Sequence, residues 1–71
     1  MNYAETFGRN LKAIRKEKNL SQADIAQMLC INVANVCRYE SGRQCPDLVK
    51  FFILAKRLEV NPSDFIRENH D

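Results

Sequence analysis

Glycine and histidine are scarce in this sequence, and their scarcity argues against an enzyme. The 71 residues include two glycines and one histidine. Two separated glycines cannot form a glycine-rich loop that cradles phosphate, and one histidine offers no catalytic cluster. No pair of carboxylates with a cleft to hold them is evident either. We therefore predict that the protein has no enzymatic activity.

Long apolar runs are also missing. The longest covers residues 51–55, far short of the roughly 20 residues that a membrane-spanning helix needs. The first residues, MNYAETFG, do not follow a basic and then apolar order as a signal peptide does. These features predict a cytoplasmic protein, with no membrane as a partner.

The length of the chain allows one hydrophobic core. Its fractions of 45% hydrophobic and 28% charged residues are ordinary for a globular protein. A domain of this size buries only about 60% of the surface of its unfolded chain, so an oligomer is plausible. We predict a single domain over residues 1–71, with its core within about 3–67.

The charges are unevenly distributed, although the net charge is only +2. Residues 9–43 hold seven Lys or Arg against three Asp or Glu, whereas residues 44–71 hold four basic and five acidic residues. A basic first half suits a polyanion such as nucleic acid. It is equally compatible with a solvated, lysine-rich helix face.

The three cysteines, Cys30, Cys37 and Cys45, cannot all pair within the chain. Cys30 and Cys37 are seven residues apart, which corresponds to about 10 Å if both lie near one helix. This distance exceeds the roughly 7 Å limit between the Cα atoms of a disulfide. Zinc sites need closely spaced ligand pairs, and His70 is isolated near the end of the sequence. We predict free thiols, no metal and no cofactor.

The apolar residues recur at helical spacing, and no stretch shows the alternation of a strand. This spacing predicts a first helix over about residues 3–18. Ser21 and Asp24 have the pattern of a capping box, which opens a second helix that runs through Leu29. The inner positions predicted for these two helices are Phe7, Leu11, Ile14, Ile25, Ala26 and Leu29.

Three more short helices are predicted after the second. Asn32 can cap the third, which ends at Gly42 because glycine readily adopts a left-handed conformation. Asp47 can cap the fourth, and Asn61 followed by proline indicates a fifth over about residues 63–67. The inner positions predicted for the third and fourth helices are Val36, Tyr39, Leu48, Phe51, Phe52, Ala55 and Leu58.

Four segments together carry a family resemblance: Gly8-Arg9-Asn10-Leu11, LSQADIAQML, YESGRQCP, and LAKRLEV followed by asparagine. In this order and spacing the chain resembles the Cro/repressor (XRE-like, lambda-repressor-like) helix-turn-helix family of bacterial and phage transcription regulators. The resemblance covers nearly the whole chain. It implies a compact all-α bundle of five helices, with the helix-turn-helix at about residues 21–41 and the third helix in the DNA major groove.

The resemblance also gives a role to the outer face of the third helix, which would contact DNA bases. Arg38 can pair with guanine O6 and N7, worth about 1–3 kcal/mol of discrimination, and Val33 and Ala34 suit a thymine methyl group. Asn32 either pairs with adenine or caps the helix, Cys37 either touches a base or only packs, and Val33 could instead pack against the first helix. The predicted base contacts are Asn32, Val33, Ala34, Cys37 and Arg38.

Matching family positions suggest phosphate contacts around this helix. Gln22 stands in the first turn of the second helix, where free N–H groups favour an anion. Arg15 and Glu40 occupy positions that form an ion pair in some family members, which would leave Arg15 close to a phosphate. The predicted phosphate contacts are Gln22, Ser41, Arg43, Gln44 and Arg15.

Two positions depart from the family pattern. Cys30, in the turn between the second and third helices, and Glu59, after the fourth, stand where glycine is common. A residue other than glycine with a positive φ costs on the order of 1 kcal/mol. Neither position belongs to the predicted reading face.

Aliphatic residues off the inner stripe suggest a dimer surface, formed by Val49, Ile53 and Ile66. A two-fold dimer would place two recognition helices about 34 Å apart and require an inverted-repeat operator. The alternative is ordinary surface scatter.

The function predicted from the sequence is a sequence-specific DNA-binding transcriptional regulator, a repressor acting as a homodimer on double-stranded DNA. Its setting would be the cytoplasm of a bacterial or phage-infected cell, with no small-molecule ligand expected. Two alternatives stay open: a protein-interaction module on the same fold, and a thiol switch at Cys37.

Overall fold

The computed structural model describes residues 2–68, in which four α-helices are followed by one 3-10 turn and no strand occurs. The helices are α1 (Tyr3–Glu17), α2 (Gln22–Leu29), α3 (Val33–Glu40) and α4 (Leu48–Leu58), and the turn covers Pro62–Phe65. None of these helices has the length and apolarity to cross a bilayer. The all-α class is confirmed, but the number of α-helices is four rather than five.

The predicted fifth helix is a 3-10 turn, in which the Ile66 N–H donates to the Ser63 carbonyl three residues earlier, at 3.2 Å. It starts where the sequence predicts, with the Asn61 backbone N–H donating to Asp64 Oδ2 at 3.2 Å. Asn10 Nδ2 of α1 then donates to the carbonyl oxygens of Phe65 and Arg67, at 2.8 Å each. These two bonds bind the segment to α1 and satisfy two carbonyl groups at its end.

Local capping starts the helices much as predicted. Ser21 and Asp24 form the capping box, with side chain to backbone distances of 3.0 Å and 2.8 Å. Asp47 Oδ1 accepts from the Lys50 backbone N–H at 2.9 Å. Asn32 occupies the N-cap position of α3, but its side chain makes no capping hydrogen bond within the described chain. The Asn32 amide is therefore available for another partner.

The core lies where the four helices and the 3-10 turn meet. The Phe7 ring packs against the rings of Tyr39, Phe51 and Phe65, with centroid separations of 6.3, 6.0 and 5.4 Å. Of the inner positions predicted for α1 to α3, only Ile14 is half-buried rather than buried. The buried hydrophobic residues are Phe7, Leu11, Ile25, Ala26, Leu29, Val36, Tyr39, Leu54, Ala55, Leu58 and Phe65.

The inner face predicted for α4 is partly wrong. Leu48 and Phe52 are 70% and 50% exposed, whereas Leu54, which the prediction omitted, is fully buried. This helix is apolar on more than one side, so two stripes of helical spacing were possible. In the observed rotation the Phe51 ring lies 5.6 Å from the Phe65 ring, and Leu54 faces the core together with Ala55 and Leu58.

Close backbone packing holds the end of α3 against α1. A Cβ atom added at Gly8 would lie 2.2 Å from the Tyr39 carbonyl oxygen and 2.9 Å from that of Glu40. Only glycine allows this approach. The first helix therefore sets the position of the helix predicted to read DNA.

The turn that joins α2 to α3 passes through a left-handed residue. Cys30 has φ 57° and ψ 45°, and the Ile31 N–H donates to the Ala26 carbonyl at 3.0 Å. Glu59 ends α4 in the same conformation, with φ 58°. Both positions have the positive φ that favours glycine.

Candidate nucleic-acid interface

The buried side of α3 determines which residues face outward. Val36 and Tyr39 are 0% and 6% exposed, and they attach the helix to the core. Val33 is 43% exposed, so a large part of its side chain lies at the surface. The structure brings all five predicted base-contact residues to the surface, and these exposed residues are Asn32, Val33, Ala34, Cys37 and Arg38.

This outer face has the chemistry of a groove-reading surface. Small side chains, Val33, Ala34 and Cys37, let a helix approach base edges closely, and Arg38 supplies paired N–H donors. Cys30, Cys37 and Cys45 are free and exposed, as predicted. Within residues 2–68 no cluster of His, Cys, Asp and Glu could hold a metal ion, and His70 lies outside these residues.

Asn35 was not among the predicted base contacts, since its position on the helix suggested a half-buried residue, and it is half-buried in the structure. Arg38 Nη1 donates to Asn35 Oδ1 at 2.8 Å. Asn35 is half-buried, and Arg38 is exposed. The signal available in the sequence was the spacing of three residues, which places two helical side chains side by side.

One carboxylate joins α1, α2 and α3, and we call this group of Arg15, Gln22 and Glu40 the Glu40 junction. Arg15 Nε donates to Glu40 Oε2 at 2.6 Å, and Arg15 Nη2 donates to Oε1 at 3.1 Å. Gln22 Nε2 donates to the same Oε1 at 3.0 Å. The predicted Arg15–Glu40 ion pair is therefore present, with a partner from α2 that the sequence analysis did not assign.

The Glu40 carboxyl group of this junction is ionised at neutral pH. Burial by itself raises the pKa of Glu40, but the hydrogen bonds from Arg15 and Gln22 and the charges of Arg15 and Lys12 outweigh it, so this pKa lies below its ordinary value. The same hydrogen bond favours the charged form of Arg15, so the pKa of Arg15 lies above its ordinary value. The side chains of Arg15 and Glu40 are 12% and 4% exposed, which limits screening by solvent.

The residues predicted to contact phosphates surround α3 in two groups. Gln22 and Arg15 belong to the Glu40 junction, where Arg15 also donates from Nη1 to the Leu20 carbonyl at 3.0 Å. Its remaining N–H groups are mostly covered, because the side chain is only 12% exposed. Arg15 is therefore placed mainly to hold the helices together.

The second group follows the end of α3, where three donors converge on one carbonyl. Ser41 Oγ and the backbone N–H groups of Arg43 and Gln44 donate to the Arg38 carbonyl oxygen, at 3.1, 3.0 and 3.3 Å. The side chains of Ser41, Arg43 and Gln44 are exposed beside the outer face of α3. The loop is thus held in a defined shape next to the candidate reading face.

The predicted dimer candidates Val49, Ile53 and Ile66 are 68%, 38% and 46% exposed. Leu48 and Phe52, expected inside, extend the exposed apolar area of α4. We call Leu48, Val49, Phe52 and Ile53 the α4 apolar surface.

The family model described as Helix-turn-helix matches residues 11–65, which include the whole of α2, α3 and α4. The chain belongs to this family of XRE-type regulators. It is a DNA-binding regulator of transcription with a helix-turn-helix. A comparison with curated proteins found no match.

Solved structures of regulators have the same fold. The restriction-modification controller protein C.AhdI from Aeromonas hydrophila is 29% identical, with a TM-score of 0.79 over 87% of this chain and 94% of that one. A transcriptional regulator from Listeria innocua is 28% identical, with a TM-score of 0.81 over 92% of this chain and 61% of that one. An HTH_3 family regulator from Vibrio cholerae is 27% identical, with a TM-score of 0.77 over 89% and 35% of the two chains.

Proposed function

We propose that this regulator is a repressor, which binds an inverted-repeat operator as a homodimer and places α3 of each protomer in the major groove. The observation that carries the proposal is the outer face of α3. It is exposed, it combines small apolar side chains with Arg38, and its helix is held by the Glu40 junction. A helix held in place by its neighbours, with an exposed apolar and arginine surface, fits direct readout of base edges.

Each residue of the face has a base partner in this proposal. Arg38 pairs with guanine, and Val33 and Ala34 contact a thymine methyl group. Asn32 pairs with adenine, which its unused side-chain amide supports. Cys37 lies between them and contributes contact area rather than a strong hydrogen bond.

The exposed loop after α3 and the start of α2 would hold the DNA backbone. Ser41, Arg43 and Gln44 lie on one side of the reading face, and Gln22 belongs to the first turn of α2. Arg15 would support these backbone contacts indirectly, because it shares the Glu40 carboxylate with Gln22. Such contacts fix the register on the duplex without reading sequence, and they make the affinity fall as salt rises.

The α4 apolar surface, extended by Ile66, would form the dimer. Leu48 and Val49 are more than two-thirds exposed, which is unfavourable for apolar side chains in a lone domain of this size. Pairing two copies about a two-fold axis buries both surfaces at once. It also sets the two recognition helices about one DNA turn, roughly 34 Å, apart.

Selection from a randomised duplex library at near-physiological salt tests this proposal. We expect enrichment of an inverted repeat, and Arg38→Ala should relax the preference at one base pair of each half-site. Enrichment of a single half-site would keep the DNA reader and remove the homodimer. If no sequence is enriched, the protein-interaction module becomes the better hypothesis, with the α4 apolar surface as the place to seek its partner.

A reporter gene with the selected operator placed over its promoter tests the repressor role. Expression of the wild-type chain should lower transcription, and Arg38→Ala should restore it. A rise in transcription with the wild-type chain would identify an activator instead.

A further inference from the structure

Asn35 and Arg38 lie one helical turn apart on α3, and their side chains are joined. Arg38 Nη1 donates to Asn35 Oδ1 at 2.8 Å. Asn35 has a short side chain and is half-buried, whereas Arg38 is long and exposed. The asparagine is therefore the more restrained partner, and it determines where the guanidinium group lies.

Restraint of this kind matters for a residue that reads a base. A free arginine side chain samples many rotamers, and it loses that freedom when it is fixed against DNA. An acceptor that already holds the guanidinium in the unbound protein reduces this loss.

The hydrogen bond leaves the reading edge of Arg38 available. Asn35 occupies one N–H of Nη1, and the N–H groups of Nε and Nη2 make no side-chain hydrogen bond within residues 2–68. Two parallel N–H groups on one edge of a guanidinium match guanine O6 and N7.

We propose that Asn35 is a positioning residue, which directs Arg38 toward guanine and so sets specificity at a base pair that Asn35 does not touch. This inference rests on the proposed DNA-binding function. Direct reading of adenine by Asn35 would need both Oδ1 and Nδ2 of its amide, and Oδ1 already accepts from Arg38. Direct reading would therefore load Oδ1 with two hydrogen bonds, whereas positioning of Arg38 uses the bond that the structure already contains.

The experiment has two stages. Library selection with the wild-type chain, Arg38→Ala and Asn35→Ala first identifies the base pair that Arg38 reads and records any change of preference at neighbouring base pairs. Dissociation constants are then measured on duplexes with each of the four base pairs at that position, for the wild-type chain, Asn35→Ala, Asn35→Asp, Arg38→Ala and the Asn35→Ala/Arg38→Ala double variant. Alanine is the better helix former, so Asn35→Ala should fold, and circular dichroism checks this.

We expect Asn35→Ala to reduce the preference for guanine by roughly three- to tenfold, since one hydrogen bond to a charged group is lost. Asn35→Asp should retain the preference because its carboxylate keeps the acceptor, even though its charge weakens binding to every duplex. The double variant should discriminate no less than Arg38→Ala alone, because Asn35 acts only through Arg38.

The results that would overturn the positioning role of Asn35 differ from the result that would overturn the proposed DNA-binding function. If Arg38→Ala relaxes the base preference and Asn35→Ala does not, DNA reading stands and the positioning role is overturned. A changed preference at a neighbouring base pair would make Asn35 a direct reader and also overturn it. If the wild-type chain enriches no sequence, the proposed function fails and this inference fails with it.

Discussion

Arg15 of α1 and Glu40 of α3 form a bidentate ion pair, with N–O distances of 2.6 Å and 3.1 Å. The same carboxylate accepts a third hydrogen bond, from Gln22 of α2. The helix proposed to read bases and the helix proposed to contact phosphate therefore share one anchor. A change at this anchor should alter both stability and DNA binding.

We expect Glu40→Ala to lower the free energy of unfolding by about 3 kcal/mol, because it leaves Arg15 partly buried without its counter-charge. DNA affinity should fall as well, since α3 and Gln22 lose a common support. Urea denaturation and an operator-binding titration measure the two effects. Arg67→Ala is the matched control: it breaks the exposed Arg67–Asp64 pair, where Arg67 is 70% exposed, and should cost under about 1 kcal/mol. If Glu40→Ala changed neither quantity, the anchoring role of the pair would be wrong.

The pH dependence of stability should report the same pair. The pKa of Glu40 is lower in the folded protein than its ordinary value, so its contribution is present above about pH 4.3 and is lost as pH falls through the folded value. Glu40→Gln cannot titrate, so its stability should fall less steeply in this acidic range. The pKa values of Asp24 and Asp47 are also lowered, but both proteins share them, and the difference between the two pH curves isolates Glu40. Parallel curves would contradict the prediction.

Cys30→Gly should raise the free energy of unfolding by about 1 kcal/mol, because Cys30 has φ 57° and glycine adopts this conformation without strain. Thermal denaturation under reducing conditions measures the change. Gly42→Ala is the opposite control: Gly42 has φ 81°, and an added Cβ would lie 2.8 Å from Glu5 Cγ, so this variant should be destabilised. A lower melting temperature for Cys30→Gly would show that the turn does not tolerate the added freedom of glycine.

Gly8→Ala should destabilise the protein by about 2–3 kcal/mol, because the new methyl group overlaps the Tyr39 carbonyl oxygen. Replacing glycine by alanine at an exposed helical site stabilises by about 1 kcal/mol, so the sign itself is diagnostic. Ala13→Gly, at an exposed position of the same helix, gives the ordinary propensity effect for comparison. An unchanged or raised melting temperature for Gly8→Ala would mean that α1 and α3 can separate without cost.

Ile53→Glu should shift the protein from dimer to monomer, because a charge in the middle of the α4 apolar surface opposes pairing. Sedimentation velocity over a range of concentrations measures this shift. Lys16→Glu, an exposed charge change of comparable kind on α1, is the control and should leave the oligomeric state unchanged. An identical monomer–dimer balance in Ile53→Glu and the wild-type chain would exclude this surface.

Local sequence was sufficient for the helix boundaries because capping depends on neighbours within a few residues. Ser21 with Asp24, and Asp47 with the Lys50 backbone, start α2 and α4 where the sequence predicted. The same is true of the buried side of α3, where Val36 and Tyr39 leave a single apolar stripe. The exposed face of the candidate DNA interface could therefore be predicted before the structure was known.

Contacts between distant residues decided what local pattern left open. The rotation of α4, which buries Leu54 and leaves Leu48 and Phe52 exposed, depends on packing against the rest of the core, since apolar residues occur on several sides of that helix. The last element lies against α1 because Asn10, 55 residues earlier than Phe65, donates to the Phe65 carbonyl. Gln22 meets Glu40 only once three helices have packed, because their separation of 18 residues carries no local signal. The sequence by itself determined where helices begin and which side of α3 is buried, and the tertiary structure decided how the helices rotate and which polar groups they share.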